Sequence, residues 1–394
     1  MAAESGKHNV LIVHNHYRIP GGEDTVVCNE KKLLESHGHK VYFYHRDNAE
    51  MDKMSLLKKA ILPFTAIFNP RTYIEVRRLI RNHKIEVIHV HNTLNLISPA
   101  VYYAALSLKV PVVQTVHNFR LLCPNAVFYR EGNICEDCVE NGLYCAVRHR
   151  CYRNSRVQTL VCVISMVIHR MTGIYGKLNY ICLTDFNKEK LLKLKQVREE
   201  KVFVKPNFTY DLKGGSRRED YYLYIGRIEE IKGVSVLMEA FFRMPDRRLL
   251  LAGMGTEIDL YKRKVADKGI TNIDFLGFKK KDELAQLLKA AKAVIVASQW
   301  YETFGMIVIE AFAGHTPVIA GDIGNIGSLV EDRVNGIKFR YNSVESLIDA
   351  VEQFELLDGN ALGENGYRKY KDMFSEEKNY ESIRAIYHDI LNSR

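Results

Sequence analysis

The feature that most constrains this chain is a repeated alternation of short apolar runs with helix-period segments. In the first half the runs fall at residues 10–13, 41–44, 86–92, 112–116, 180–183 and 201–204, and in the second near Tyr222, Leu249, Ile273, Val294 and Val318. Strands that alternate with helices predict parallel sheets, with ligands at the carboxyl ends of the strands. A polar stretch, Lys213-Gly214-Gly215-Ser216-Arg217-Arg218-Glu219-Asp220, reads as a linker, and 394 residues are long for one core. The expected plan is α/β: an N-terminal domain over residues 1–205 with a cysteine-bearing insert at 118–155, a C-terminal domain over 206–374, and a last helix over 375–394. That helix opens on the cap residue Ser375 and is periodic in Tyr380, Ile383, Tyr387 and Leu391.

The densest chemistry lies in residues 298–336. After the apolar run 293–297 comes a turn, Glu302-Thr303-Phe304-Gly305, from which a helix runs to Ala313. A helix start presents unpaired N–H groups and the positive end of its dipole, so the amides near Gly305 and Met306 suit a phosphate. Glu302 precedes that start and Glu310 lies about two turns on. Carboxylates accept hydrogen bonds only, which suits the paired hydroxyls of ribose and sugar rings. Upstream, residues 222–233 read as a strand, a glycine turn and another helix start carrying Arg227 and Lys232, cations able to grip a diphosphate. Singly, each of these is an ordinary surface charge or helix former; in one strand and helix series the ligand reading is favoured.

In the first half, the strand at 10–13 leads to a loop, Pro20-Gly21-Gly22-Glu23, without the G-x-G-x-x-G dinucleotide pattern. Two later strands end in His89, His91 and Asn92, and in His117-Asn118. A lone histidine there is more often a structural residue than a catalytic one.

Taken together, Glu302 with Glu310, the G-R-x(4)-K-G segment at 226–233 and G-H-T-P-V-I-A-G-D-I-G at 314–324 resemble retaining glycosyltransferases of family 4, and the likeness extends over nearly the whole chain. The resemblance implies the GT-B fold, two Rossmann-like parallel-sheet domains facing a central cleft, with the last helix crossing back to the first domain. It implies that Arg227 and Lys232 bind the donor diphosphate, Glu302 contacts the transferred sugar and Glu310 holds the ribose. It places Gly22 near the diphosphate and acceptor and His117 on the donor sugar. Phe278 is a candidate stacking partner for the base or, equally, a packed aromatic, and Phe304 belongs to the phosphate turn. The donor is a UDP- or GDP-sugar. No D-x-D triplet occurs, which fits cations replacing a divalent metal, so no cofactor is expected in catalysis.

Net charge is uneven: residues 1–205 carry 30 Lys and Arg against 18 Asp and Glu, and the remainder 26 against 29. Basic and apolar residues interleave over 51–84 and 148–170, a pattern that suits an anionic membrane surface at about 1 kcal/mol per basic residue; solvated amphipathic helices are the alternative. With this surface and the resemblance, the expected acceptor is a saccharide, polyprenyl-linked, in cell-surface polysaccharide or glycan assembly. No nucleic-acid-binding motif is present. No apolar run spans a membrane and residues 1–9 lack a signal-peptide core, which predicts a cytoplasmic protein, peripheral at the inner face.

Five cysteines crowd the insert. Cys135 and Cys138 have a zinc half-site spacing that Cys123 and Cys151 complete, with Cys145 or His149 as substitutes, or the set is a loop of packed thiols. The rival readings are a soluble-acceptor transferase, a GT-B sugar-nucleotide hydrolase or epimerase, and a zinc-stabilised binding module.

Overall fold

The computed structural model describes residues 6–18, 21–213 and 218–393. Pro20 of the glycine loop, the first five residues and residues 214–217 of the expected linker lie outside the described residues. The chain forms two compact units: one holds the described residues up to Val127, Glu136–Asn207 and the tail from Asn379, the other Phe128–Cys135 and Phe208–Lys378.

The first unit is built on six strands, β1 (Asn9–His16), β2 (Lys40–Asp47), β3 (Val87–Asn92), β4 (Val112–Val116), β5 (Asn179–Cys182) and β6 (Val202–Val204). They lie in the order β2-β1-β3-β4-β5-β6, all parallel. The order reverses between β1 and β3, so the loops after their ends frame a crevice. Val10, Ile12, Val87, Val113 and Ile181 bury one face against Val27 and Leu34 of the helix Gly22–Ser36 and against the last helix, Glu376–Asn392. That helix docks because Ile383, Ile386, Tyr387 and Ile390 repeat at three and four residues and form one apolar stripe. Full burial of each aliphatic side chain contributes roughly 1.5–3 kcal/mol.

Two further helices of this unit, Leu56–Ile67 and Arg156–Met171, pack on one another and leave apolar side chains outside. Leu56, Leu57, Phe64, Val157 and Met171 are each more than two-thirds exposed. No described helix is long and apolar enough to cross a membrane.

In the second unit the strands are β7 (Tyr222–Ile225), β8 (Leu249–Ala252), β9 (Ile273–Gly277), β10 (Ala293–Val296), β11 (Val318–Gly321) and β12 (Gly336–Phe339). Their order, β9-β8-β7-β10-β11-β12, is that of a doubly wound nucleotide-binding sheet. Its switch point lies between β7 and β10, whose ends carry Arg227 and Ser298. A short hairpin, Tyr129–Arg130 with Asn133–Ile134, also belongs to this unit, with Tyr129 OH donating to Gln299 Oε1 at 3.2 Å.

Candidate active site

At the switch point of the second sheet, Lys232 Nζ donates to Glu302 Oε1 at 2.6 Å. Gly233 makes this approach possible: its φ is +71° and a Cβ there would lie 1.8 Å from the Ala297 carbonyl oxygen, so the turn ending in Lys232 sits directly on the end of β10. Ser298 Oγ also donates to Glu302 Oε1, and Asn325 Nδ2 holds the Glu302 carbonyl at 2.5 Å. Lys232 lies 5.5 Å over the Trp300 ring. Burial pushes the Glu302 carboxyl up, but the Lys232 ammonium and these hydrogen bonds more than offset it and hold the group below its usual range. Glu302 therefore remains a carboxylate.

Gly305 follows with φ +105° and opens the helix Met306–Ala313. A Cβ at Gly305 would meet Ile326 Cδ1 at 2.4 Å. The Gly305 and Met306 amides make no hydrogen bond among the described residues. Eight residues after Glu302, Glu310 is half-buried and has no hydrogen-bond or ion-pair partner among the described residues. Burial raises its carboxyl to about 7, against a smaller opposing effect of Lys281. Arg227 is largely exposed and pairs with Glu229 at 2.9 Å. It does not bond Glu302 directly. Phe278 is 78% exposed, whereas the Phe304 ring is buried against Phe374, so Phe304 offers a ligand only its backbone.

In the first unit, Gly22 opens its helix and Asp24, two residues on, accepts from Gly21 N, His14 Nε2 and His16 Nδ1, each at 2.9 Å. Burial alone would raise Asp24, yet these three donors pull it down to about 2. Next to it, burial pushes Glu23 up to about 8, although Tyr17 OH donates to it at 2.9 Å. His117 is buried at the end of β4, its Nε2 2.8 Å from His91 Nδ1, and burial lowers it to about 3. A cavity of about 110 Å³ lies here, lined by Tyr17, Asn92, Gln114, His117, Arg120 and Met166 among others. Sequence reasoning missed Ser298, Trp300, Asp24 and Glu30. Ser298, four residues before Glu302, and Asp24, three after Gly21, had local signals; Glu30 had none.

Of the cysteines, Cys135 follows the hairpin in the second unit, and Cys123, Cys138, Cys145 and Cys151 belong to the first. Burial, then the neighbouring Cys123, Cys151 and Cys145, push the Cys138 thiol up to about 12. The expected zinc set of Cys123, Cys135, Cys138 and Cys151 is not gathered: the groups of three or more candidate ligands among the described residues are His14, His16 and Asp24, and Glu30, His89 and His91, with no cysteine in either.

The family profile for glycosyl transferases group 1 matches residues 213–369, and that for Glycosyltransferase Family 4 matches residues 20–137. The chain belongs to this glycosyltransferase family. Among its relatives, an uncharacterized glycosyltransferase of Methanocaldococcus jannaschii, MJ1178, is 30% identical over 43% of this chain and 48% of its own length. The O-antigen chain mannosyltransferase C of Escherichia coli is 23% identical over 45% of this chain and 48% of its own. The chain thus spans about half the length of the curated relatives it matches. A solved structure of Anabaena Alr3699/HepE in complex with UDP shares the GT-B fold, with a TM-score of 0.68, 17% identity and coverage of 98% of this chain and 100% of that one.

Proposed function

We propose that this glycosyltransferase-family chain moves a sugar, with retention of anomeric configuration, from a nucleotide-diphosphate sugar to a saccharide acceptor. The observation that carries the reading is the Lys232–Glu302 pair beside the unpaired amides of Gly305 and Met306. Lys232 has three donors and gives one to Glu302, leaving others for a diphosphate oxygen. As the bond from anomeric carbon to phosphate oxygen breaks, negative charge grows on the diphosphate, where these fixed donors and Arg227 stabilise it. The acceptor oxygen bonds to the anomeric carbon on the same face and its proton passes to the leaving phosphate oxygen. Glu302 positions the sugar and stabilises its positive charge; no divalent metal is needed in this scheme. Glu310 takes the ribose hydroxyls.

Calorimetric titration with UDP-glucose, GDP-mannose and ADP-glucose tests the reading, since silence from all three removes the donor assignment. The Glu310 role adds a signature. With its carboxyl at about 7, Glu310 is mostly protonated at pH 6, and ribose hydroxyls favour the ionised form. Binding at pH 6 should release a proton, and affinity should rise about tenfold from pH 6 to pH 8. Glu310→Gln should flatten that profile; an unchanged slope removes Glu310 from the ribose. The folding linkage runs the opposite way: because the folded value is raised above 4.5, ligand-free stability falls as pH climbs from 4.5 to about 7.

The acceptor is lipid-linked in this reading, and the protein is peripheral at the cytoplasmic face of the membrane. The support is the exposed Leu56, Leu57 and Phe64 beside Lys58 and Lys59, together with the O-antigen relative. Leu57→Ser with Phe64→Ser should weaken cosedimentation with phosphatidylglycerol vesicles about tenfold. Equal binding by wild type and variant would remove this surface.

A further inference from the structure

The end of β1 gathers imidazoles and a carboxylate that the proposed reaction does not use. His14 and His16 are two residues apart on the strand, so their side chains leave the same face of the sheet. On β2, His45 is the register partner of His14 and shares that face, its ring 5.5 Å from that of His16. Asp24 arrives from the first turn of the helix Gly22–Ser36. Its Oδ1 lies 2.9 Å from both His14 Nε2 and His16 Nδ1, while its Oδ2 is fixed by the Gly21 amide at 2.9 Å. The ligand-type atoms of His14, His16 and Asp24 all lie within 4.8 Å of one another. The His14 side chain is fully buried, but that of His16 is 23% exposed and His45 is exposed, so the group opens to solvent on one side.

We propose that His14 Nε2, His16 Nδ1 and Asp24 Oδ1 bind one divalent transition-metal ion of the zinc class, with His45 or a water in the remaining position. Two imidazole nitrogens and a carboxylate oxygen suit zinc, cobalt or nickel, whereas magnesium and calcium take oxygen ligands. Ligand atoms about 2.1 Å from a shared tetrahedral ion lie about 3.4 Å apart, so each of the two contacts has to open by only about 0.5 Å. Asp24 keeps the Gly21 amide on its other oxygen, which holds the carboxylate in orientation. His14 Nδ1 supplies a second observation, since it is buried and makes no hydrogen bond. The group it faces is the Glu23 carboxyl, at 3.8 Å too far for a hydrogen bond but of the kind that backs metal-bound imidazoles. With an ion on Nε2 the proton of a neutral ring sits on Nδ1, on the side of that carboxyl. The other group with metal spacing, Glu30 with His89 and His91, is unsuited: Lys205 Nζ lies 3.0 Å from Glu30 and its charge opposes a second cation. The ion at His14, His16 and Asp24 ties the end of β1 to the first turn of the helix. None of its ligands belongs to the donor site proposed above.

Untagged full-length protein, stripped with EDTA and kept reduced, is titrated with cobalt(II) and zinc, followed by calorimetry and absorption. One cobalt per chain should bind with micromolar or tighter affinity and give visible d–d bands without a thiolate charge-transfer band. Zinc should displace it; magnesium and calcium should not. Zinc should also raise the thermal midpoint by several degrees, because the site exists only in the folded chain. His16→Ala and Asp24→Asn should each weaken binding at least about a hundredfold, and Glu23→Gln about tenfold. His16→Ala leaves the His14–Asp24 bond in place, so it carries the test if Asp24→Asn does not fold. Absence of saturable binding, or unchanged affinity in folded His16→Ala, overturns the site and leaves the three residues as a hydrogen-bonded cluster. A thiolate band overturns it as well, by placing the ion on the cysteines.

Discussion

Replacing Lys232 by alanine is expected to lower kcat/KM by about two to three orders of magnitude, the cost typical of losing one preorganised donor to a developing charge. The ammonium is fixed before any ligand arrives, by the 2.6 Å bond to Glu302 and by the Trp300 ring beneath it. Little reorganisation remains when the diphosphate gains charge. The same bond makes the substitution two-sided, because Glu302 then loses the partner that offsets its burial and its carboxyl rises. Glu302→Gln removes the charge while keeping the shape and the Ser298 contact. If the pair acts as one unit, the double variant Lys232→Ala with Glu302→Gln should be about as slow as either single variant. The loss should fall on kcat more than on donor affinity. Turnover within a few-fold of wild type in folded Lys232→Ala would remove this residue from the chemistry.

Much of this geometry was legible in the sequence, for a physical reason. Strands such as 10–13 and 293–296 are buried on both faces, so they read as unbroken apolar runs, and parallel pairing follows from the helices between them. The helix expected to run to Ala313 starts at Met306, as the turn at Gly305 implied. Lys232 and Glu302 are 70 residues apart, yet each sits at a glycine turn after a strand, and a doubly wound sheet brings such turns to one edge. Other features had no such rule behind them. The hairpin at 129–134 follows the first unit in sequence but packs with the second, through contacts such as Tyr129 with Gln299 that no local pattern announces. Phe304 carries the composition of a ligand loop, but its ring fills the core against Phe374. Nothing local marks Glu30 or Lys205 as buried, and only packing over 175 residues of separation makes them a pair.

That pair sets the second large effect: Lys205→Met should destabilise the first unit by about 3–5 kcal/mol, the cost of leaving one member of a buried ion pair uncompensated. Both side chains are nearly inaccessible, at 1% and 2%, so water cannot replace the lost ammonium. The double variant Lys205→Met with Glu30→Gln should recover most of the loss, since it is the bare carboxylate and not the missing lysine that is costly. Urea unfolding followed through the histidine signals of the first unit would measure both. The pH dependence supplies an independent check with opposite signs. In wild type Glu30 is held well below 4.5, so its stabilisation is present above that value and is lost as pH falls through the folded one. In Lys205→Met, burial dominates, the folded value rises, and stability should instead decline as pH climbs above 4.5. A variant with wild-type stability and an unaltered pH slope would show that the carboxylate is solvated or neutral.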